Sequence, residues 1–257
     1  MKLLARLFRS TLGQKYLMAG SGGVLVLFVV GHLVGNLQFF LPPAALNRYG
    51  HLLQSNVEVL WLVRLTLLAV VLLHIVMAIR LWASNRAARP VAYASSATSY
   101  GASLSSRTML VSGLVVVAFL GYHLLHFTVR VESINGTPVA FHQLREPGTG
   151  YYDVFAMVVA GFQVWPVALF YGVGVGLLSF HLTHGVAALF QSLGGRNPVY
   201  APVIRKAAHG LAAFLLLGYL SIPTAVLFGR GNDYLKHVVE HNARRLAQAP
   251  PGEEVAR

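Results

Sequence analysis

The sequence predicts an all-α integral membrane protein with five transmembrane helices. Apolar residues make up 56% of the 257 residues and charged residues only 11%, with a mean hydropathy of +0.61, whereas an ordinary globular domain carries about 25% charged residues. Five apolar stretches are each long enough to cross a hydrocarbon core about 30 Å thick. We place these spans at roughly 16–40, 57–82, 108–129, 165–190 and 203–228, within a single membrane domain that covers residues 1–257.

The first span follows a basic segment, as the apolar region of a secretory signal would. Its apolar run is too long for that region, and no convincing small-residue cleavage site follows it. We therefore expect the first span to remain as a membrane helix. The other spans are joined by short polar connections. At the far end, the composition of residues 246–257 predicts a disordered tail.

Lysine and arginine are concentrated before the first span, between the second and third spans, and between the fourth and fifth. These residues are Lys2, Arg6, Arg9, Lys15, Arg86, Arg89, Arg107, Arg196, Arg205 and Lys206. By the positive-inside rule, this pattern predicts a protein of the inner (cytoplasmic) membrane with its N-terminus in the cytoplasm and its C-terminus outside. The basic C-terminal segment conflicts with the rule. The net charge of +12 then mostly reflects topology, and nothing in the chain resembles a nucleic-acid reader.

Four spans each carry a histidine deep within the apolar stretch: His32, His74, His123 and His181. Ionisable residues inside a membrane are costly and usually face the interior of a helix bundle. At about 1.5 Å per residue, His32 and His123 share a level roughly 9–12 Å below the outer boundary. By the same rise, His74 and His181 share a level roughly 12–14 Å from the inner boundary. The depths predict an outer pair, His32 and His123, and an inner pair, His74 and His181.

Histidine pairs at two levels indicate two haems, each with two axial imidazoles that bind the haem iron. The sequence contains no cysteine, which excludes covalent C-x-x-C-H attachment, a Cys-ligated iron–sulfur cluster and disulfides. A haem would therefore be held non-covalently. The alternative for any one histidine is a hydrogen bond to a neighbouring helix or a place in a proton relay.

Two further histidines, His126 and His184, follow His123 and His181 by three residues and therefore lie on nearly the same helix face. One member of each H-x-x-H pair ligates, while the other contacts a haem propionate, a quinone or a partner helix. His209, near the start of the fifth span, is a candidate propionate or quinone contact. The remaining histidines, at 51, 142, 237 and 241, are expected at the surface.

A cluster of three residues near the outer end of the second span includes two charged side chains at the edge of an apolar stretch. Glu58, Trp61 and Arg64 are spaced three apart and share a helix face. One interpretation is an interfacial anchor, in which Trp marks the membrane boundary and Arg reaches towards it. Alternatively, Arg64 pairs with a propionate of the outer haem, or Glu58 and Arg64 line a quinone site.

The order of these motifs resembles the single-chain, five-helix dihaem cytochrome b subunits that anchor succinate dehydrogenase and fumarate reductase (succinate:quinone oxidoreductases) in the membrane. The resemblance covers roughly residues 10–230. It rests on the stretches GHLVGN (31–36), LHI (73–75), NRAARP (85–90), GYH (121–123), SFHLTHG (179–185) and FQSLG (190–194).

The resemblance implies that His123 and His181 are the ligands within their H-x-x-H pairs. It also implies the same pairing as the depths, His32 with His123 and His74 with His181, each pair holding one haem b. A flavoprotein subunit with FAD and an iron–sulfur subunit would dock on the cytoplasmic face. The chain would pass electrons between them and a membrane quinone, menaquinone or ubiquinone, with no site for the dicarboxylate itself.

The chain departs from a compact member of this family in its long connection at 130–160 and in its polar C-terminus, both expected outside the membrane. Two alternative functions are left open. One is the dihaem cytochrome b subunit of a formate dehydrogenase or a hydrogenase. The other is a proton-coupled transporter with a histidine relay, which predicts no haem and often an internal repeat; no repeated pair of segments is evident.

Overall fold

The computed structural model describes residues 7–88, 108–195 and 197–248. In these residues the only extended pairing is an isolated bridge between Arg145 and Tyr152, and the all-α fold class is confirmed. In chain order the helices are α1 Thr11–Asn36, α2 Pro43–Ser55, α3 Val57–Ala87, α4 Met109–His123, α5 Val154–Phe162, α6 Trp165–Ser192, α7 Ala201–Leu227 and α8 Asn232–Gln248.

Five of these helices, α1, α3, α4, α6 and α7, are long and apolar enough to cross a membrane. A 3₁₀ turn at Leu37–Phe40 extends α1, and a π-helical turn at Leu124–Val129 extends α4. Only 6–28% of the most apolar window of each helix is buried, as expected for helices whose outer faces meet lipid. The helices agree with the predicted spans, except that α1 begins five residues earlier and α3 ends five residues later than predicted.

The chain divides into two compact units. Unit 1 comprises residues 1–32, 61–116 and 176–216, and unit 2 comprises residues 33–60, 117–175 and 217–257. Each of the five long helices contributes to both units: α1, α4 and α7 begin in unit 1 and end in unit 2, and α3 and α6 run the other way. The three shorter helices, α2, α5 and α8, belong to unit 2.

Unit 2 has an aromatic and aliphatic core that the shorter helices help to build. Phe39, Phe141 and Phe155 are at most 2% exposed, and Phe39 stacks on Phe155 with 4.8 Å between ring centroids. The amphipathic α8 adds Leu235 and Val238 to the same core. The connection at 130–160 and the C-terminal helix are therefore parts of one packed structure.

A buried polar cluster joins the same elements. The Asp153 carboxylate is 1% exposed and accepts hydrogen bonds from Ala156 N (2.8 Å), Asn47 Nδ2 (3.1 Å) and Tyr234 OH (2.8 Å). Asp153 thereby caps the N-terminus of α5 and ties α2 and α8 to it. Burial raises the pKa of Asp153 above its ordinary value, although these three bonds oppose the rise. Burial and the bond to Asp153 also raise the pKa of Tyr234.

Two arginines hold the start of the 130–160 connection against its end. The guanidinium carbons of Arg145 and Arg130 lie 3.7 and 4.5 Å from the ring centroid of Tyr152. Burial would raise the pKa of Tyr152, but hydrogen bonds and charge interactions with the two arginines outweigh burial and lower it. Arg130 itself has left-handed backbone angles, φ 64° and ψ 49°, which end the π turn.

The C-terminal helix α8 extends to Gln248. The first three residues of the segment 246–257, predicted to be a disordered tail, are therefore helical. Residues 249–257 lie outside the described part of the chain. So do five of the basic residues used to assign orientation: Lys2, Arg6, Arg89, Arg107 and Arg196.

Candidate cofactor site

The predicted ligand histidines are divided between the two units. Unit 1 contains both members of the inner pair, His74 on α3 and His181 on α6, and also His32 on α1. Unit 2 contains His123, the last residue of α4. The two members of the inner pair lie in one unit and those of the outer pair do not, and both pairings stay predictions.

His74 is held by a serine of α1. Its Nδ1 lies 3.1 Å from the Ser21 hydroxyl oxygen, and that hydroxyl is also 2.7 Å from the Leu17 carbonyl of its own helix. A serine hydroxyl has one proton to donate. Because the shorter bond gives that proton to the Leu17 carbonyl, the Ser21 oxygen accepts the proton of His74 Nδ1. The neutral imidazole then has an unprotonated Nε2, the form that binds a metal.

His181 is held in the same way by a serine of α4. Its Nδ1 lies 3.1 Å from the Ser112 hydroxyl oxygen, and the hydroxyl is 3.1 Å from the Met109 carbonyl. The two distances are equal, so here they do not by themselves place the proton. If the hydroxyl donates to the Met109 carbonyl, the Ser112 oxygen accepts the proton of His181 Nδ1 and Nε2 is left unprotonated. Ser21 and Ser112 are only 5% and 4% exposed, so water does not compete for these contacts.

A glycine follows each serine and faces the same histidine. A Cβ on Gly22 would lie 3.1 Å from His74 Cε1, and one on Gly113 would lie 3.5 Å from His181 Cε1. The first distance is tighter than nearly all real Cβ contacts, whereas the second is ordinary van der Waals contact. Gly22 therefore allows a close approach of the His74 ring to α1, and Gly113 is less critical.

The donor set of the inner pair fits a bis-imidazole haem. His74 and His181 lie in the same unit, and a charge on His74 or on His184 would act on His181. Each ring of the pair has its Nδ1 bound to a hydroxyl and its Nε2 left for a ligand bond, as is usual for metal-binding histidines. No group of three or more His, Asp or Glu residues suited to a metal ion occurs in the described residues. A haem, whose iron takes only two axial ligands from the protein, does not require such a group.

In unit 2, His123 belongs to a buried chain of polar side chains that includes a tyrosine not singled out in the sequence. The hydroxyl of Tyr171 on α6 is 3.0 Å from His126 Nδ1 and 3.4 Å from His123 Nδ1. His126 is completely buried, and its Nε2 has no hydrogen-bond partner. If His123 ligates through Nε2, its Nδ1–H donates to Tyr171, and the Tyr171 hydroxyl donates to His126 Nδ1. This arrangement places His126 in the environment of the His123 ring.

The remaining candidates lie apart from these contacts, and Glu58, Arg64 and His209 are exposed. His32 is half-buried and stacks on Phe28, with 5.4 Å between ring centroids. The guanidinium carbon of Arg64 lies 5.3 Å from the Trp61 ring centroid, and the alternative roles of Arg64 stay predictions. His209 is exposed and hydrogen-bonds through Nδ1 to the Arg205 carbonyl. Glu58 is also exposed, and its proposed role at a quinone site stays a prediction.

The supporting serines had a signal in the sequence. Ser21-Gly22 precedes His32 by eleven and ten residues, and Ser112-Gly113 precedes His123 by the same numbers. The first and third spans therefore share the pattern S-G-x₉-H, although small residues at helix contacts are too common to be singled out one by one. Comparison of the chain with models of known protein families, with curated proteins and with solved structures finds no match.

Proposed function

We propose that this chain is a dihaem cytochrome b membrane subunit that relays electrons between a docked iron–sulfur subunit and membrane quinone, as in a succinate dehydrogenase or fumarate reductase complex. The observation that carries the proposal is the inner pair. His74 and His181 each have their Nδ1 3.1 Å from a buried serine hydroxyl, supplied in each case by another helix of the same unit. In a proton relay, each imidazole gains a proton on one ring nitrogen and loses one from the other. A hydroxyl acceptor at Nδ1 instead favours the single tautomer that leaves Nε2 available to iron.

His74 and His181 would hold one haem b, and His32 and His123 the other. When bound, each haem supplies reversible one-electron chemistry. The chain would keep the Nδ1 protons of His74 and His181 on buried serine hydroxyls and would place Gly22 beside Cε1 of the His74 ring. Because the two pairs come from different depths of the predicted spans, the relay would connect the two membrane faces.

The partner subunits would dock where the positive-inside pattern places the cytoplasm. Of the basic residues expected there, Lys15, Arg86, Arg205 and Lys206 are among the described residues. An iron–sulfur protein with an acidic docking face would complement them, and anionic lipid would compete for the same residues. For the quinone, the candidates are Glu58 with Arg64 at the expected outer side and His209 at the expected inner side.

Haem content tests the proposal directly. The purified full-length chain would be expressed with haem supply, and haem would be quantified from its reduced-minus-oxidised spectrum. The variants are His32→Ala, His74→Ala, His123→Ala and His181→Ala. His142→Ala is the matched control, because His142 is 45% exposed and pairs with Glu132 at 2.8 Å.

We expect about two b-type haems per chain in the wild type and in the control, and loss of one haem in each ligand variant, since an axial pair is broken each time. Loss of the same spectral component from His74→Ala and His181→Ala would support the inner pair. A wild-type chain that carries no haem would refute the proposal. Co-purification with a flavoprotein that oxidises succinate would identify the complex, whereas a formate dehydrogenase or hydrogenase partner would overturn that part.

A further inference from the structure

We infer that Ser21 and Ser112 are positioning residues for the two axial ligands of one and the same haem, and that they set its reduction potential. This inference rests on the proposed function. Neither serine would touch the iron. Each would act through the Nδ1 proton of a histidine on a neighbouring helix, His74 for Ser21 and His181 for Ser112.

The two contacts match in burial and in the distance from the hydroxyl to the imidazole, although the bond to the helix's own carbonyl is 2.7 Å at Ser21 and 3.1 Å at Ser112. Both serines are at least 95% buried, both donate to a carbonyl of their own helix, and both oxygens lie 3.1 Å from an imidazole Nδ1. Serine in a membrane helix often bonds only to its own backbone. Here the same hydroxyl has a second partner in each case, and that partner is a predicted ligand.

The helices α1 and α4 share a sequence pattern that predicts the same two roles for each helix. In S-G-x₉-H, the serine and histidine are eleven residues apart, close to three full turns of an α-helix, so they share a helix face. On α1 the pattern joins Ser21 to His32, and on α4 it joins Ser112 to His123. Each of these helices would thus supply an axial ligand to one haem and a supporting hydroxyl to the other.

The direction of the effect follows from the hydrogen bond. An acceptor on Nδ1–H increases electron donation from Nε2 to the iron and favours the oxidised state. Removal of the hydroxyl should therefore raise the midpoint potential of the inner haem. An effect of about threefold on the ratio of oxidised to reduced haem would shift a one-electron midpoint by roughly 30 mV, since a tenfold change corresponds to about 59 mV.

The experiment is a redox titration with low-temperature electron paramagnetic resonance on the purified full chain. It compares wild type with Ser21→Ala, Ser112→Ala and the conservative variants Ser21→Thr and Ser112→Thr. Ser221→Ala is the matched control, because Ser221 makes the same intrahelical bond, to the Gly218 carbonyl at 2.7 Å, on α7.

We expect both alanine variants to raise the midpoint of the same haem by about the same amount, with the second haem unchanged, and the threonine variants to remain near wild type. Loss of that haem in the alanine variants, with retention in the threonine variants and the control, would also support the inference. Unchanged midpoints and spectra in a chain that carries both haems, or shifts in two different haems, would overturn it and leave the proposed function intact. A wild type without haem would refute both.

Discussion

Removal of the Asp153 carboxylate should release the C-terminal helix α8 from unit 2. In Asp153→Ala, the Ala156 N–H loses its cap, and Asn47 Nδ2 and Tyr234 OH lose an acceptor that they now reach at 3.1 and 2.8 Å. Asn47 Nδ2 keeps the Glu146 carboxylate as an acceptor at 3.2 Å, so the cost comes from the cap, about 1 kcal/mol, and from the Tyr234 hydroxyl left without an acceptor, about 1–3 kcal/mol. Relief of the burial cost of the carboxylate offsets part of this loss, so we expect a net loss of about 2 kcal/mol.

Limited trypsin digestion of the purified protein measures this change, because α8 contains Lys236, Arg244 and Arg245. When the helix opens and closes faster than it is cut, the cleavage rate follows the open population. A loss of about 2 kcal/mol raises that population roughly 30-fold, since every 1.4 kcal/mol is tenfold. The matched control is Asp233→Asn, which also removes one carboxylate charge but at an exposed position in the first turn of α8.

The control should change cleavage by less than about fivefold, because an exposed charge at a helix N-terminus is worth about 0.3–1 kcal/mol. Cleavage of Asp153→Ala that is no faster than cleavage of the control would show that the buried carboxylate does not hold α8. Circular dichroism on the same samples would establish that the five long helices remain folded.

Three further predictions concern the pH dependence of Asp153 and the haem sites. The pKa of Asp153 is raised in the folded state, so its contribution to stability is greatest in acid and is lost as pH rises through the interval above about 3.8. The melting temperature of wild type minus that of Asp153→Asn should therefore fall from pH 4 to pH 7. A constant difference would contradict the assigned shift. Gly22→Ala should displace the His74 ring and reduce inner-haem occupancy several-fold, because the added Cβ would lie 3.1 Å from His74 Cε1. Gly113→Ala should leave haem content unchanged, because its Cβ would lie 3.5 Å from His181 Cε1. Equal effects of the two variants on haem content would contradict these clearances. Tyr171→Phe should alter the spectrum and midpoint of the haem bound by His123 and leave the inner haem unchanged, because it removes the hydroxyl near His123 Nδ1; a change confined to the inner haem would contradict this assignment.

The spans were predictable because their signal is long and redundant. Twenty or more apolar residues leave few alternatives, and the helices α4, α6 and α7 begin and end within about two residues of the predicted spans. The early start of α1 and the late end of α3 lie in polar sequence, where helix continues beyond the apolar window. Hydropathy indicates which residues lie in the hydrocarbon core, but it does not indicate where the helix begins or ends.

The shorter helices could not be predicted with the same rule. The α2 and α8 segments are polar on one side, and α5 is only nine residues long. Their stability comes from a core assembled from distant parts of the chain, such as Phe39 on Phe155. In α8 the spacing of Leu235, Val238, Val239 and Leu246 did carry a helical signal, which the surrounding charges obscured.

At the candidate site, the depth of the histidines was readable from the sequence, but their supporting hydroxyls were not. Depth depends only on helix rise, whereas the contacts of Ser21 and Tyr171 depend on the rotation of each helix about its own axis. Apolar helices exposed to lipid on one side give little periodicity from which to read that rotation. The repeated S-G-x₉-H spacing was the one available indication.

The π-helical turn after His123 has a consequence for how this protein can vary in evolution. A π turn closes its hydrogen bonds over one more residue than an α turn, so Leu124–Val129 amounts to a single inserted residue within a continuous helix. A homologue with an α-helical turn here would be one residue shorter between His123 and Arg130. Its His123 would keep its place, while the residues after it would rotate and move His126 away from Tyr171. Among homologues, loss of that one residue should therefore accompany loss of the histidine–tyrosine contact.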